Sequence, residues 1–215
     1  MNNQPAKLLV NSISKQKFET QMKNVLAIIL VSLCTSVVAQ KIKLTEGSLG
    51  SLKGETSIKM EFKYDMSVGK FDKEDDYIKE KKKELNEKEP GRGDSWEKNW
   101  KSDRPDRFEP QFRELFAKHS AMSTTGDNAK YTLIFKTVHT EPGFNVHVMS
   151  KPAYIDAEAW IVDVLDPNKV IAKLSITKAL GRDVLGLDYE TGLRLQEAYA
   201  KAGKELGGFI RKNAK

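Results

Sequence analysis

The clearest pattern in the chain is a strict alternation. Ile58, Met60, Phe62, Tyr64 and Met66 are apolar, and Lys59, Glu61, Lys63 and Asp65 between them are charged. A period of two with one apolar face predicts a strand buried on one side and wet on the other. From residue 73 to 89 the pattern changes to KEDDYIKEKKKELNEKE, rich in helix formers, acidic at its start, with a thin stripe of Tyr77, Ile78 and Leu85. That predicts a surface helix, stopped by Pro90-Gly91. Residues 91–107, GRGDSWEKNWKSDRPDR, show no period and read as irregular. A second helix follows, with Pro110 suited to its first turn and Phe108, Phe112, Leu115, Phe116 and His119 on one face.

The β-branched and aromatic residues concentrate between Lys130 and Lys178. Tyr131 to Val138 is apolar on both faces, as in a central strand. Glu141-Pro142-Gly143 turns the chain and Phe144 to Met149 returns. A register with His139 opposite His147 also sets Val138 opposite Val148, histidines on one face and valines on the other. Tyr154 to Leu165 reads as the next strand and Asp166-Pro167-Asn168 as a turn. Val170, Ala172, Leu174 and Ile176 then alternate along the last strand. The final helix, about Tyr189 to Ile210, has a stripe of Leu195, Tyr199, Ala202, Leu206 and Phe209, with Ala198 and Gly203 small enough for close approach. The order is β-α-α-β-β-β-β-α. A parallel crossover joins the first two strands and an antiparallel meander follows, so the expected fold is α+β. It is a two-layer sandwich with one mixed, mostly antiparallel sheet of about five strands and about three helices on one face. Residues 55–213 form its single domain, and residues 40–54, rich in glycine, serine and lysine, a flexible lead-in.

The amino-terminal region changes the picture. From Met22 the chain reads MKNVLAIILVSLCTSVVAQ: Lys23, then an apolar run from Val25 to Leu33, then Val37-Val38-Ala39. A basic start, a short apolar core and small residues at its end are the build of a secretory signal peptide over residues 22–39, cut before Gln40. The run is shorter than the roughly 20 residues a membrane-spanning helix needs, so no transmembrane span is expected. Residues 1–21 have no reason to precede such a signal and read as an over-extended start. Cys34, the only cysteine, stands after Leu33 rather than a small residue, so lipid anchoring there is the lesser reading. The expected location is therefore exported, either periplasmic or extracellular.

Charge excludes one class of partner. The formal net charge is +6, but residues 1–39 carry Lys7, Lys15, Lys17 and Lys23 against Glu19, which is half of it. The remainder is a mixed surface with no stripe for a phosphate backbone, and nucleic acid is not an expected partner.

The TEPGFNV turn, the GRD loop and the LDYETGLRLQEAYAKAGKELGGFI helix resemble a group of small secreted envelope proteins from Bacteroidota-type bacteria, of unknown function. The order of elements is similar to the amino-terminal domain of the Tol periplasmic translocation protein. These resemblances imply an exported accessory protein and supply no catalytic motif.

Four groups of residues are candidates for chemistry. Trp96 and Trp100, four apart, with Arg92, Arg104 and Arg107 nearby, suit a stacking platform for a sugar, peptide or base. Their bland role is to pin an irregular segment to the sheet. His139 and His147, with Glu141, would form a cross-strand metal site, a poor one with two or three ligands, and otherwise are half-exposed sheet histidines. Arg92-Gly93-Asp94 matches the tripeptide read by integrins, a match three residues make by chance. Gly181-Arg182-Asp183 and Asp188 precede the last helix, where backbone N–H groups with Arg182 would hold an anion; ordinary capping, with Asp188 as N-cap, is the leading reading. No serine stands in an elbow motif and no P-loop, dinucleotide fingerprint or HExxH occurs, so no catalytic residue and no cofactor are assigned. The expected function is an exported binding module for another envelope protein, a peptide or a glycan. A cell-envelope hydrolase and a weak metal-binding protein are the alternatives.

Overall fold

A computed structural model describes residues 41–146, 149–181 and 191–215. Residues 22–39, expected to be a signal peptide, and His147, Arg182 and Asp188 lie outside these residues. In chain order the strands are β1 (Lys41–Gly47), β2 (Lys59–Val68), β3 (Tyr131–Glu141), β4 (Phe144–Val146), β5 (Met149–Lys151), β6 (Tyr154–Asp163) and β7 (Val170–Leu180). The helices are α1 (Glu74–Lys88), α2 (Arg92–Asp103), α3 (Glu109–Ser120) and α4 (Thr191–Asn213). Five strands make one mixed sheet in the order β1-β7-β6-β3-β2. Only β2 and β3 run parallel, joined by the helical crossover, as their separation requires.

The alternation that predicted β2 sets the inner face of the whole sheet. Met60 stands beside Leu133, Phe62 beside Phe135 and Tyr64 beside Thr137. The same face continues through Ala157, Ala159 and Ile161 of β6 to Ile176, Leu174 and Ala172 of β7. The buried helical side chains Phe108, Phe112, Phe116, Leu195, Tyr199 and Leu206 join these in one core. Small alanines on β6 face the helices at the centre of the sheet, so the large aromatics of β2 and β3 interdigitate instead of colliding. Tyr199 keeps its hydroxyl 2.7 Å from Thr137 Oγ1, which satisfies both buried groups.

The opposite face of the sheet is polar. Lys173 pairs with Glu46 at 2.6 Å and Lys136 with Asp65 at 3.1 Å. Among the described residues no helix is long and apolar enough to cross a membrane.

Three expectations are corrected. The lead-in is not flexible: residues 41–47 form β1, an edge strand that sets Ile42 opposite Ile176 and Leu44 opposite Leu174. Leu49 and Leu52 behind it are buried in the core. A seven-residue strand whose hydrogen bonds all come from β7 leaves little trace in a glycine-rich sequence. Second, the return strand expected after β3 leaves the main sheet. Phe144–Val146 pairs with Met149–Lys151 in a separate two-stranded ribbon, and β3 pairs along its length with β6. The sheet thus reaches five strands because β1 joins it at the β7 edge.

Third, residues 91–107 are helical. After α2 a π-turn over Arg104–Phe108 leads straight into α3. Pro105 lacks the N–H that an α-helix would use there, and Glu109 N–H reaches back five residues to Arg104 O, so the helix bends without ending. The sequence hid this helix because its apolar residues face two different partners, Trp96 and Trp100 toward α1 and Phe108 toward α4.

Candidate functional site

The α1–α2 hairpin builds one wall of a cleft. Gly91, at φ +82°, reverses the chain, and Gly93 lets the helices touch: a Cβ there would lie 2.2 Å from Lys82 O. Asn86 Oδ1 accepts the Gly93 N–H at 2.7 Å. Gly93→Ala is expected to destabilise the hairpin by about 2 kcal/mol through overpacking, read as a lower urea midpoint in tryptophan fluorescence. An unchanged midpoint would mean the helices are free to separate.

On α1, Tyr77, Lys81, Glu84, Leu85 and Lys88 follow one helical stripe, and on α2, Trp96 and Trp100 lie one turn apart. Together with Pro142, Gly143 and Phe144 of the β3–β4 turn and Thr191-Gly192 at the start of α4, they line a cleft of about 440 Å³. The two indoles are stacked, with centroids 5.6 Å apart and planes at 26°. Tyr77 meets Trp96 edge-on at 5.7 Å and Trp100 at 5.2 Å. Trp100 is buried and Trp96 half-buried, so Trp96 is the member that presents surface to the cleft.

The charges beside the indoles are mostly paired. Glu84 accepts from Lys88 at 2.6 Å and from Lys81 at 3.1 Å, and these hydrogen bonds hold its carboxyl below the usual carboxylate range. Asp103 behaves oppositely: burial pushes its carboxyl up, with Arg107 at 3.1 Å opposing. It presses on α4 where a Cβ at Gly192 would meet Asp103 Oδ2 at 2.2 Å. Near-balanced charge leaves the cleft an aromatic wall with carboxylate, amide (Asn99) and hydroxyl (Ser95) groups around it.

Arg104, expected to be a ligand-binding residue, is committed elsewhere. Its guanidinium binds Glu74 Oε1, which also accepts the Trp100 indole N–H, and it lies 4.2 Å over the Tyr64 ring. It anchors the rear of Trp100. Tyr64 in turn donates to Glu109 at 3.2 Å, and burial above all keeps its phenol protonated. The Arg92-Gly93-Asp94 tripeptide forms the first turn of α2, with Asp94 held by Lys82 at 2.8 Å. That is not the exposed loop an integrin reads.

His139 is not where the sequence put it. Its cross-strand neighbours are Asp156 on β6 and Ser67 on β2. Ser67 Oγ lies 2.8 Å from His139 Nδ1, and the Tyr154 ring is 5.5 Å away. Glu141 is taken by Lys151 and by the Gly143 N–H at 3.1 Å. Among the described residues no three histidine, cysteine or acidic side chains gather as cation ligands. The Ser67–His139 contact was missed because residues 72 apart meet only through the parallel register of β2 and β3, which no spacing reveals.

No family model matches the chain, and no curated protein matches it. Among solved structures, the PelC dodecamer from Paraburkholderia phytofirmans is 12% identical, with a TM-score of 0.35 over 76% of this chain and 96% of that one. A Xanthomonas campestris protein of the DUF330 family is 9% identical, with a TM-score of 0.39 over 80% of this chain and 93% of that one. At these levels of identity and superposition, nothing those proteins do is carried over to this chain.

Proposed function

We propose that this chain is an exported binding module whose cleft takes a sugar chain of the cell envelope. The observation that carries this reading is the Trp96–Trp100 stack, edged by Tyr77, in a cleft of about 440 Å³. The apolar face of a pyranose ring packs on an exposed indole, and its hydroxyls need carboxylate, amide and hydroxyl partners at the rim. Asn99, Ser95 and Asp103 supply those. The volume falls within the range of ordinary ligand sites, and the neutralised charges beside Trp96 favour a neutral ligand over an ionic one. Export rests on the signal-peptide pattern of residues 22–39.

Two experiments test it. Titrating the protein with soluble oligosaccharides from envelope digests should quench tryptophan emission. Trp96→Ala should weaken that binding at least tenfold, about 1.4 kcal/mol. Quenching that survives Trp96→Ala, or that peptides produce and sugars do not, would refute the cleft as a glycan site. Mass spectrometry of the protein from its own cells should find a chain starting at Gln40 in an exported fraction. A chain starting at Met1 in the cytosol would remove the premise of export.

A further inference from the structure

We propose that Ser67 and His139 form a nucleophile and general base on the helix-free face of the sheet, acting on short-chain esters such as O-acetyl groups on sugars. The site is separate from the tryptophan cleft and does not depend on it.

The geometry begins with irregularities that coincide on neighbouring strands. The register shifts between Tyr64 and Ser67 on β2, between Thr137 and His139 on β3, and between Ile176 and Ala179 on β7, opposite Ile155 and Ala157 of β6. On β7, Lys178 adopts φ +52° at the same level. Bulges re-aim side chains and recur beside active sites. Here they keep Val68, Thr140, Ile155 and Ala179 in the core while Ser67, His139 and Asp156 line up on the other face. A sheet that only needed to bend would not have to place a hydroxyl, an imidazole and a carboxylate in one row.

The row holds a hydroxyl, an imidazole and a carboxylate on three successive strands. Ser67 Oγ stands 2.8 Å from His139 Nδ1, within reach for direct proton transfer, and 3.4 Å from Val138 O, and Ser67 and His139 are both half-buried. Asp156, the register partner of His139, has one carboxylate oxygen pinned by the Lys178 N–H at 2.7 Å. Its carboxylate stands on the strand next to His139, which makes Asp156 a positioning residue of the proposed row. The Lys178 ammonium lies 5.9 Å over the Tyr154 ring, at the far end of the row from Ser67.

In the tautomer with the proton on Nε2, His139 Nδ1 accepts the Ser67 proton as Oγ attacks the ester carbonyl carbon. The C–O bond to the alcohol then breaks, the alcohol oxygen takes that proton from His139, and the acyl group remains on Ser67. Water reverses the path: it gives a proton to His139 and attacks the acyl carbon. Ser67 Oγ leaves and recovers the proton, so ester and water become acid and alcohol. The row lies on the open face of the sheet, which suits a small acyl group.

The test is covalent labelling of the full chain with an alkyl fluorophosphonate, mapped by peptide mass spectrometry, alongside hydrolysis of p-nitrophenyl acetate. Ser51, exposed on the surface, is the internal reference. Ser67 should be phosphonylated at least about 100-fold faster than Ser51, the usual scale of a positioned base. His139→Ala should remove that advantage with an unchanged melting curve, and added imidazole should restore part of it. Asp156→Asn should lower the rate less than His139→Ala. Labelling of Ser67 no faster than Ser51, or a rate indifferent to His139→Ala, overturns the proposal.

Discussion

Phe112→Ala should lower the stability of this protein by about 4 kcal/mol. Phe112 is fully buried and stands where the helices meet the sheet. Its ring lies 4.4 Å from Phe135, 5.4 Å edge-on from Phe62 and 6.1 Å from Phe116, between centroids. Truncation removes the partner of all three rings at once. The hole cannot collapse easily, because Phe62 and Phe135 sit on paired strands and Phe116 is one turn along the same helix. Phe112→Leu refills part of the volume and should cost less than half as much. Urea denaturation of the two variants decides the matter, and a loss below about 2 kcal/mol for the alanine would mean that the core relaxes around the site.

Gly203→Val should cost about 3 kcal/mol, and a neighbouring glycine should respond with the opposite sign. At Gly203 a Cβ would lie 2.4 Å from Phe112 O, and at Gly207 2.6 Å from Phe116 O. These two positions, one turn apart on α4, are where the backbones of α3 and α4 touch. Any side chain pushes the helices apart and loosens Phe112 and Phe116 beneath them. Gly208, the next residue, meets nothing within 4 Å. There the ordinary helix preference for alanine operates, and Gly208→Ala should stabilise by about 0.5–1 kcal/mol. Thermal melts of the pair test the packing directly, since both are glycine substitutions within one helix. If both destabilise, the effect belongs to the helix and not to its contact with α3.

The two variants also show where reading the chain succeeds. Gly203 and Ala198 were legible as close-contact positions because an amphipathic stripe with small residues in it has one physical use. The face of β2 was legible for the same reason: alternation is a local record of which side is dry. Trp96 and Trp100 were legible as an aromatic pair by their spacing of four, although neither their stacking on each other nor the helix carrying them was. Arg104 shows the limit, since its neighbourhood to two tryptophans suggested a ligand and its actual partner is Glu74, thirty residues away.

Local chemistry along the chain settles which residues seek the interior, where α1 stops, that the β2–β3 connection is a parallel crossover, and that the whole is an α+β sandwich. The first two depend on neighbours within a few residues, where hydrophobic period, proline and glycine act, and the last two follow from the order of the elements so read. Partner choice between distant segments is settled by packing of the whole. Lys41–Gly47 becomes a strand because the β7 edge needs a partner, and Phe144–Val146 leaves the sheet because β6 outcompetes it for β3 over ten residue pairs. His139 meets Ser67 and Asp156 because bulges on three strands fall at one level. Register is a property of paired strands, so the row that brings these three side chains together exists only once the sheet has closed.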